Sequence, residues 1–147
     1  MKSNKNLVVI DSNFILLPFQ FKIDYFDEIR LKIEGNLRFI IYQQILNELE
    51  SKRKRDPRAT NFKRFLESGL LYLEKNKQKY NIGILEYIKK ENEATDDFIL
   101  RMLKNLKLEN QNIYLATNDS ELRKKAKIIK INTIFLRQKK YLSIDRA

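Results

Sequence analysis

Several short, wholly apolar runs end abruptly in an acid or a turn residue, and this pattern limits the folds open to the chain more than any other feature. Leu7-Val8-Val9-Ile10 stops at Asp11-Ser12-Asn13, Phe39-Ile40-Ile41-Tyr42 at Gln43, and Ile113-Tyr114-Leu115-Ala116 at Thr117-Asn118-Asp119. Such runs suit strands buried on both faces, whereas a strand with one wet face would alternate. Between them, apolar residues recur at helical spacing. Tyr25, Phe26, Ile29 and Ile33 share a side of a helix from 24 to about 33, and Phe62, Phe65, Leu66, Leu70 and Leu73 of one from 57 to about 77. Phe98, Ile99, Met102, Leu103 and Leu106 mark a third, from 95 to about 107. Further helices are expected from Gln43 to a break at Pro57 and over 119–127. Residues 82–88 form a weaker strand around Gly83, and 133–136 is expected to be the last strand, with a basic tail over 137–147. Alternating strands and helices give an α/β fold with a parallel sheet of four or five strands between helical layers.

The chain has 147 residues, 43% of them hydrophobic, which suits a single domain over 1–147. It contains no His and no Cys. Imidazole acid–base chemistry, thiolate nucleophiles and zinc sites of the Cys/His kind are therefore excluded. Gly35, Gly69 and Gly83 are too scattered to build a glycine-rich phosphate loop. Any catalysis must come from carboxylates, hydroxyls, Lys or a hard cation. Lys and Arg number 30 against 19 acids, a formal charge of +11 that favours a polyanionic partner such as a nucleic acid. No apolar run is long enough to span a membrane or form a signal-peptide core, so a cytoplasmic protein is expected.

Sites in open parallel sheets form beyond the carboxyl ends of the strands. Asp11 and Asp119 follow two of the apolar runs directly or nearly so. Glu48 lies about one and a half turns into the helix leaving the second strand. Asp96 and Asp97 begin the helix before the Ile113 run, at the same edge. Each also has an ordinary structural reading. Asp11 can cap the helix after it, Glu48 can pair with Lys52 at i+4, and Asp96 and Asp97 suit a helix start. Asn118 with Glu121 resembles a capping box that would leave Asp119 in the first turn. Taken together, acids gathered at one edge of a basic chain repel one another unless a cation neutralises them. Oxygen ligands alone fit Mg²⁺ or Mn²⁺.

Four segments carry a resemblance: Val8-Val9-Ile10-Asp11-Ser12-Asn13, Leu46-Asn47-Glu48-Leu49, Thr95-Asp96-Asp97-Phe98-Ile99-Leu100 and Leu115-Ala116-Thr117-Asn118-Asp119-Ser120-Glu121-Leu122. In order and spacing they resemble the four acidic motifs of PIN domains, over nearly the whole chain. The last two, with Arg123-Lys124-Lys125 after them, are similar to archaeal PIN proteins and to PIN nucleases of small-subunit ribosomal RNA processing. Toxin-type PIN ribonucleases share the same core. The resemblance implies a strand order of 3-2-1-4-5. It also implies that Asp11, Glu48, Asp96 and Asp119 are catalytic metal-site carboxylates, that Asp97 can share or replace Asp96, and that Ser12 and Thr117 are supporting hydroxyls. A receiver domain would want paired acids after its first strand. A haloacid-dehalogenase-type phosphatase would want Asp-x-Asp, where this chain has Asp11-Ser12-Asn13.

Lys52, Arg53, Lys54, Arg55, Arg58, Lys63 and Arg64 cluster beyond Glu48, either as a solvated face or as a wall that binds an RNA backbone. Tyr42, Phe62, Tyr72 and Tyr80 read as core or boundary residues. The expected activity is hydrolysis of unpaired RNA with one or two Mg²⁺ or Mn²⁺ ions, leaving a 5′-phosphate and a 3′-hydroxyl. RNA, as against DNA, is implied by the resemblance, as are a homodimer and an antitoxin or ribosome-assembly factor as partner. The alternative is a PIN-like scaffold that binds RNA through its basic surface without cutting.

Overall fold

A computed structural model describes residues 5–56, 58–110 and 112–147. Strand β1 (Lys5–Ile10) is buried from its second residue onward and lies at the centre of the sheet. It pairs in parallel with β2 (Asn36–Tyr42) on one side and β4 (Asn112–Ala116) on the other. β3 (Ile82–Leu85) and β5 (Asn132–Arg137) extend the sheet outward, again in parallel. The wholly apolar runs occupy β1, β2 and β4, as continuous burial requires. β3 is half-buried along its whole length and is shorter than expected, leaving the sheet after Leu85.

The expected end of the sheet at 133–136 is corrected by the structure. Residues 141–145 of the supposed basic tail form β6 (Tyr141–Asp145), antiparallel to β5, and the order among the described residues is β3-β2-β1-β4-β5-β6. Lys140 N–H bonds back to the Arg137 carbonyl at 3.1 Å across Gln138 and Lys139, whose φ angles are 55° and 57°. Two positive φ values in succession make the tight hairpin turn whose twist matches paired strands. Leu142 packs into the core from this strand, 1% exposed.

Helices cover both faces. The first face carries α1 (Ser12–Ile15), α2 (Leu17–Gln20), α3 (Tyr25–Lys32), α4 (Gln43–Arg55) and α5 (Thr60–Asn76). Here Phe26 meets Phe39 of β2 edge-on at 4.7 Å and stacks on Tyr72 at 5.4 Å, so Tyr72 and Tyr80 close the core as the sequence suggested. α6 (Thr95–Lys107) and α7 (Ser120–Ile128) cover the other face, where Phe98 packs on Tyr42 at 5.6 Å. The break expected at Pro57 falls outside the described residues, between the end of α4 and the start of α5. Gly69 lets α5 press against α1: a Cβ there would lie 1.9 Å from the Ile15 carbonyl oxygen. That close approach seats the short helix following Asp11 against the body of the fold.

Candidate active site

Asp11 continues β1 by one residue, its N–H bonded to the Ala116 carbonyl of β4 at 3.0 Å. It is 6% exposed, and its carboxylate is held by three protein donors. Ser12 N–H reaches Oδ1 at 2.8 Å, while Thr117 Oγ1 and Asn13 Nδ2 reach Oδ2 at 2.7 and 3.3 Å. The cap reading of Asp11 is thus correct as far as it goes, since it does cap α1. Burial raises its pKa; the Thr117 and Ser12 hydrogen bonds pull the other way, and the charges of Asp96 and Asp119 add to the rise.

Thr117 is fully buried and ties the two strand ends together. Besides donating to Asp11, its hydroxyl accepts from Asn13 Nδ2 at 3.2 Å and from Asp119 N–H at 3.1 Å. Asn13 Oδ1 in turn accepts the Asn118 N–H at 3.0 Å, and Asn118 Oδ1 accepts the Leu136 N–H of β5 at 2.8 Å. The residue capping α7 is Asp119 itself, not Asn118: its Oδ1 accepts from Glu121 and Leu122 N–H at 2.9 and 3.2 Å. Capping leaves Oδ2 available.

Across the cleft, the Thr95 hydroxyl donates to Glu48 Oε1, and Lys89 Nζ stands 4.0 Å from the same oxygen. The Glu48–Lys52 pair, the ordinary structural reading of Glu48, is not found among the described residues. Lys52 lies over the Phe62 ring, 4.5 Å from its centre. Asp96, in the first turn of α6, is half-buried. Desolvation raises its pKa first, then the charge of Asp119; Lys125 lowers it, and Asp97 and Glu48 raise it further. Asp97 is exposed, lies outside the cleft lining and adds its charge to the rise at Asp96.

The cleft encloses about 390 Å³. Asp11, Glu48, Asp96 and Asp119 line it, with Ser12 beside them and Lys52, Arg55 and Phe62 on one wall. The basic cluster divides. Lys52 and Arg55 face the acids, Arg53 is paired with Glu50 at 2.5 Å, and Arg64 lies over Phe19 at 5.3 Å. Lys54, Arg58 and Lys63 are exposed outside the cleft lining. Sequence reading missed Asn13, Asn118, Thr95 and Lys125; their signal is adjacency to the acids, but their partners are distant in sequence.

The donor set is all carboxylate and fits a hard divalent cation. Among the described residues no three acids converge tightly enough to hold one ion directly. Mg²⁺ typically keeps several waters and takes only one or two protein carboxylates, so a cleft of this width is compatible with it.

The PIN domain family profile matches residues 8–137. Ribonuclease VapC4 of Methanocaldococcus jannaschii is 31% identical over 140 residues, a stretch covering 93% of this chain and 95% of that protein. The structure of the PIN domain endonuclease Utp24 aligns with a TM-score of 0.65 at 24% identity, covering 96% of this chain and 92% of that one, a likeness of fold. Profile, relative and strand order agree, and the chain belongs to the PIN domain family.

Proposed function

We propose that this protein is a metal-dependent endoribonuclease hydrolysing RNA phosphodiester bonds. The observation that carries the reading is the buried Asp11 carboxylate, set against the like charges of Asp96 and Asp119 in a cleft walled by Lys52 and Arg55. Charge of that kind is costly unless a cation answers it. Asp11, Asp96 and Asp119 would hold Mg²⁺ or Mn²⁺ partly through its waters, with Glu48 on the cleft lining and Asp97 adding its charge from outside that lining. The cation would supply the positive charge that acidifies water and offsets the attacked phosphate.

The chain's own residues do the rest. Ser12, Asn13 and Thr117 fix the Asp11 carboxylate, so its position needs little reorganisation. Glu48 or Asp96, both on the cleft lining, takes the proton of the attacking water. Water adds at phosphorus, the 3′-oxygen leaves with a proton, and the products are a 5′-phosphate and a 3′-hydroxyl. Lys52 and Arg55 hold the incoming backbone, with Arg53, Lys54, Arg58, Lys63 and Arg64 extending the basic surface. The four retained acids favour an enzyme over a scaffold that only binds.

The similarity to a protein named as a ribonuclease supports RNA as the substrate, and the resemblance of the motifs implies either a toxin-type or an rRNA-processing setting. An antitoxin or a ribosome-assembly factor is the corresponding partner, and a homodimer in the cytoplasm the corresponding form. The test is cleavage of unstructured RNA by purified protein with Mn²⁺ or Mg²⁺, followed by ligation to reveal 5′-phosphate ends. Cleavage is expected to stop with excess chelator. Undiminished cleavage in chelator, or none with either metal across a broad RNA pool, overturns the proposal.

A further inference from the structure

A second cavity, of about 250 Å³, lies between α7, β5 and β6, with Ser120, Arg123, Lys124, Lys127, Phe135 and Asp145 on its walls. The guanidinium of Arg123 stacks on the Phe135 ring, 4.1 Å from its centre. Its Nε is buried without a partner, and among the described residues no acid pairs with it. Arg123 is therefore positioned by packing, and among the described residues no side chain engages its guanidinium by a hydrogen bond or ion pair. Asp145, the acid in the cavity, is already paired with Lys127 at 3.2 Å. Among the described residues, Lys124 is bound only by an open, solvent-exposed contact to Glu121 at 3.7 Å. The cavity thus keeps an uncancelled positive charge on a planar fork suited to phosphate oxygens.

Its place in the fold gives that charge a use. Ser120 borders this cavity and its neighbour Asp119 borders the acidic cleft, so the two open on either side of the start of α7. Arg123 follows Asp119 by one helical turn. Lys52 and Arg55 stand on α4, which leaves β2, whereas Arg123 packs on β5; in the sheet, β1 and β4 with their acids lie between. We propose that the Arg123–Phe135 cavity is a second backbone-phosphate subsite, which holds the RNA strand on the β5 side of the acids while Lys52 and Arg55 hold it on the β2 side. This rests on the ribonuclease reading, and it makes the substrate a strand extending beyond the cleft on both sides.

The test uses Arg123→Met, which keeps a hydrocarbon stem on Phe135 and removes the fork, with Arg123→Lys as a second variant that keeps the charge. Oligoribonucleotides are lengthened one nucleotide at a time from either end. Affinity is read by fluorescence anisotropy in chelator, and KM and kcat with Mn²⁺. For the wild type, lengthening on one side should tighten binding in a step. Arg123→Met should lose that step, about tenfold, with a salt slope smaller by about one charge. Its kcat on the shortest cleavable RNA should be unchanged, and Arg123→Lys should recover part of the step. Equal affinities at every length, or an equal loss at every length with a lowered melting temperature in both variants, overturns the subsite. If the wild type binds with the step but never cuts, the subsite stands and the ribonuclease reading falls. A response to inorganic phosphate without any length step reduces the cavity to a small-anion site and also overturns the proposal.

Discussion

Asp11 and Glu48 face the same cleft but are held in different ways. On the β1–β4 side, Asp11 is buried with three donors on its two oxygens, and Asn13, Thr117 and Asn118 continue the network to β5. On the β2–α6 side, Glu48 takes one hydroxyl and a distant ammonium, and no side-chain hydrogen bond to Asp96 is found among the described residues. Parallel neighbours with a fixed register can share a buried network at their carboxyl ends. A helix side chain and the first turn of another helix, joined through loops, have no such common frame. One wall is preorganised, and the other can adjust to what binds.

The largest expected consequence is catalytic. Asp11→Asn keeps the side-chain volume and removes the charge from the rigid wall, and should reduce RNA cleavage on the order of 10³-fold. Glu48→Gln keeps the acceptor for Thr95 and should cost about ten- to hundredfold. Single-turnover cleavage of one RNA by both variants makes the comparison. Equal losses would break the distinction between the two walls.

A smaller effect is expected on stability, from the hydroxyl on each side. Thr117→Val preserves shape at a fully buried position while taking a donor from Asp11 and an acceptor from the part-buried Asn13 amide and Asp119 N–H. It should cost about 2 kcal/mol. Thr95→Val removes one bond at a half-buried position and should cost under about 1 kcal/mol. Urea denaturation of both variants in chelator measures the difference, and a larger loss for Thr95→Val would reverse the argument.

The parts of this molecule that were legible in the sequence are those fixed by short-range pattern. Continuous apolar runs marked β1, β2 and β4, and the rule that sites lie beyond strand carboxyl ends drew Asp11 and Asp119 together with the helix acids Glu48 and Asp96. β6 was not legible because its turn uses Gln138 and Lys139 in left-handed conformations, where Asn or Gly would have signalled a hairpin. Its alternation is short, with Leu142 and Ile144 the apolar positions. Asn13 and Asn118 read locally as turn residues. Their bonds to Thr117, to Leu136 and to each other depend on strand register, which no local window contains. The same holds for Glu48, whose neighbour on its own helix lost to Thr95 from another.

The smallest expected effect is the most diagnostic of stored charge. Asp96 and Asp11 both have pKa values raised in the folded protein, Asp11 chiefly by burial and Asp96 by burial and then by the charge of Asp119. Between the unfolded value, near 3.9, and the raised folded one, the native state binds more protons than the unfolded state. The stability that these two groups contribute is therefore fully present below the unfolded value and is lost as pH rises through the folded one. Asp27 and Glu93 run the opposite way, with Arg30 and Arg101 holding them low, Glu93 at about 2, so a wild-type pH curve mixes both signs. Comparison with Asp96→Asn isolates the cleft. In chelator at pH 7 the variant should melt higher than the wild type by on the order of 1–2 °C, because repulsion from Asp119, Asp97 and Glu48 is relieved. The gap should narrow as pH falls through the raised pKa of the wild-type carboxyl. Adding Mn²⁺ or Mg²⁺ should reverse the order, since a cation bound only by the folded state stabilises the protein with more ligands to offer. A lower melting temperature for Asp96→Asn in chelator at pH 7, or a gap that does not change between pH 7 and pH 4, would mean that Asp96 serves the positive end of α6 and stores no charge for a cation.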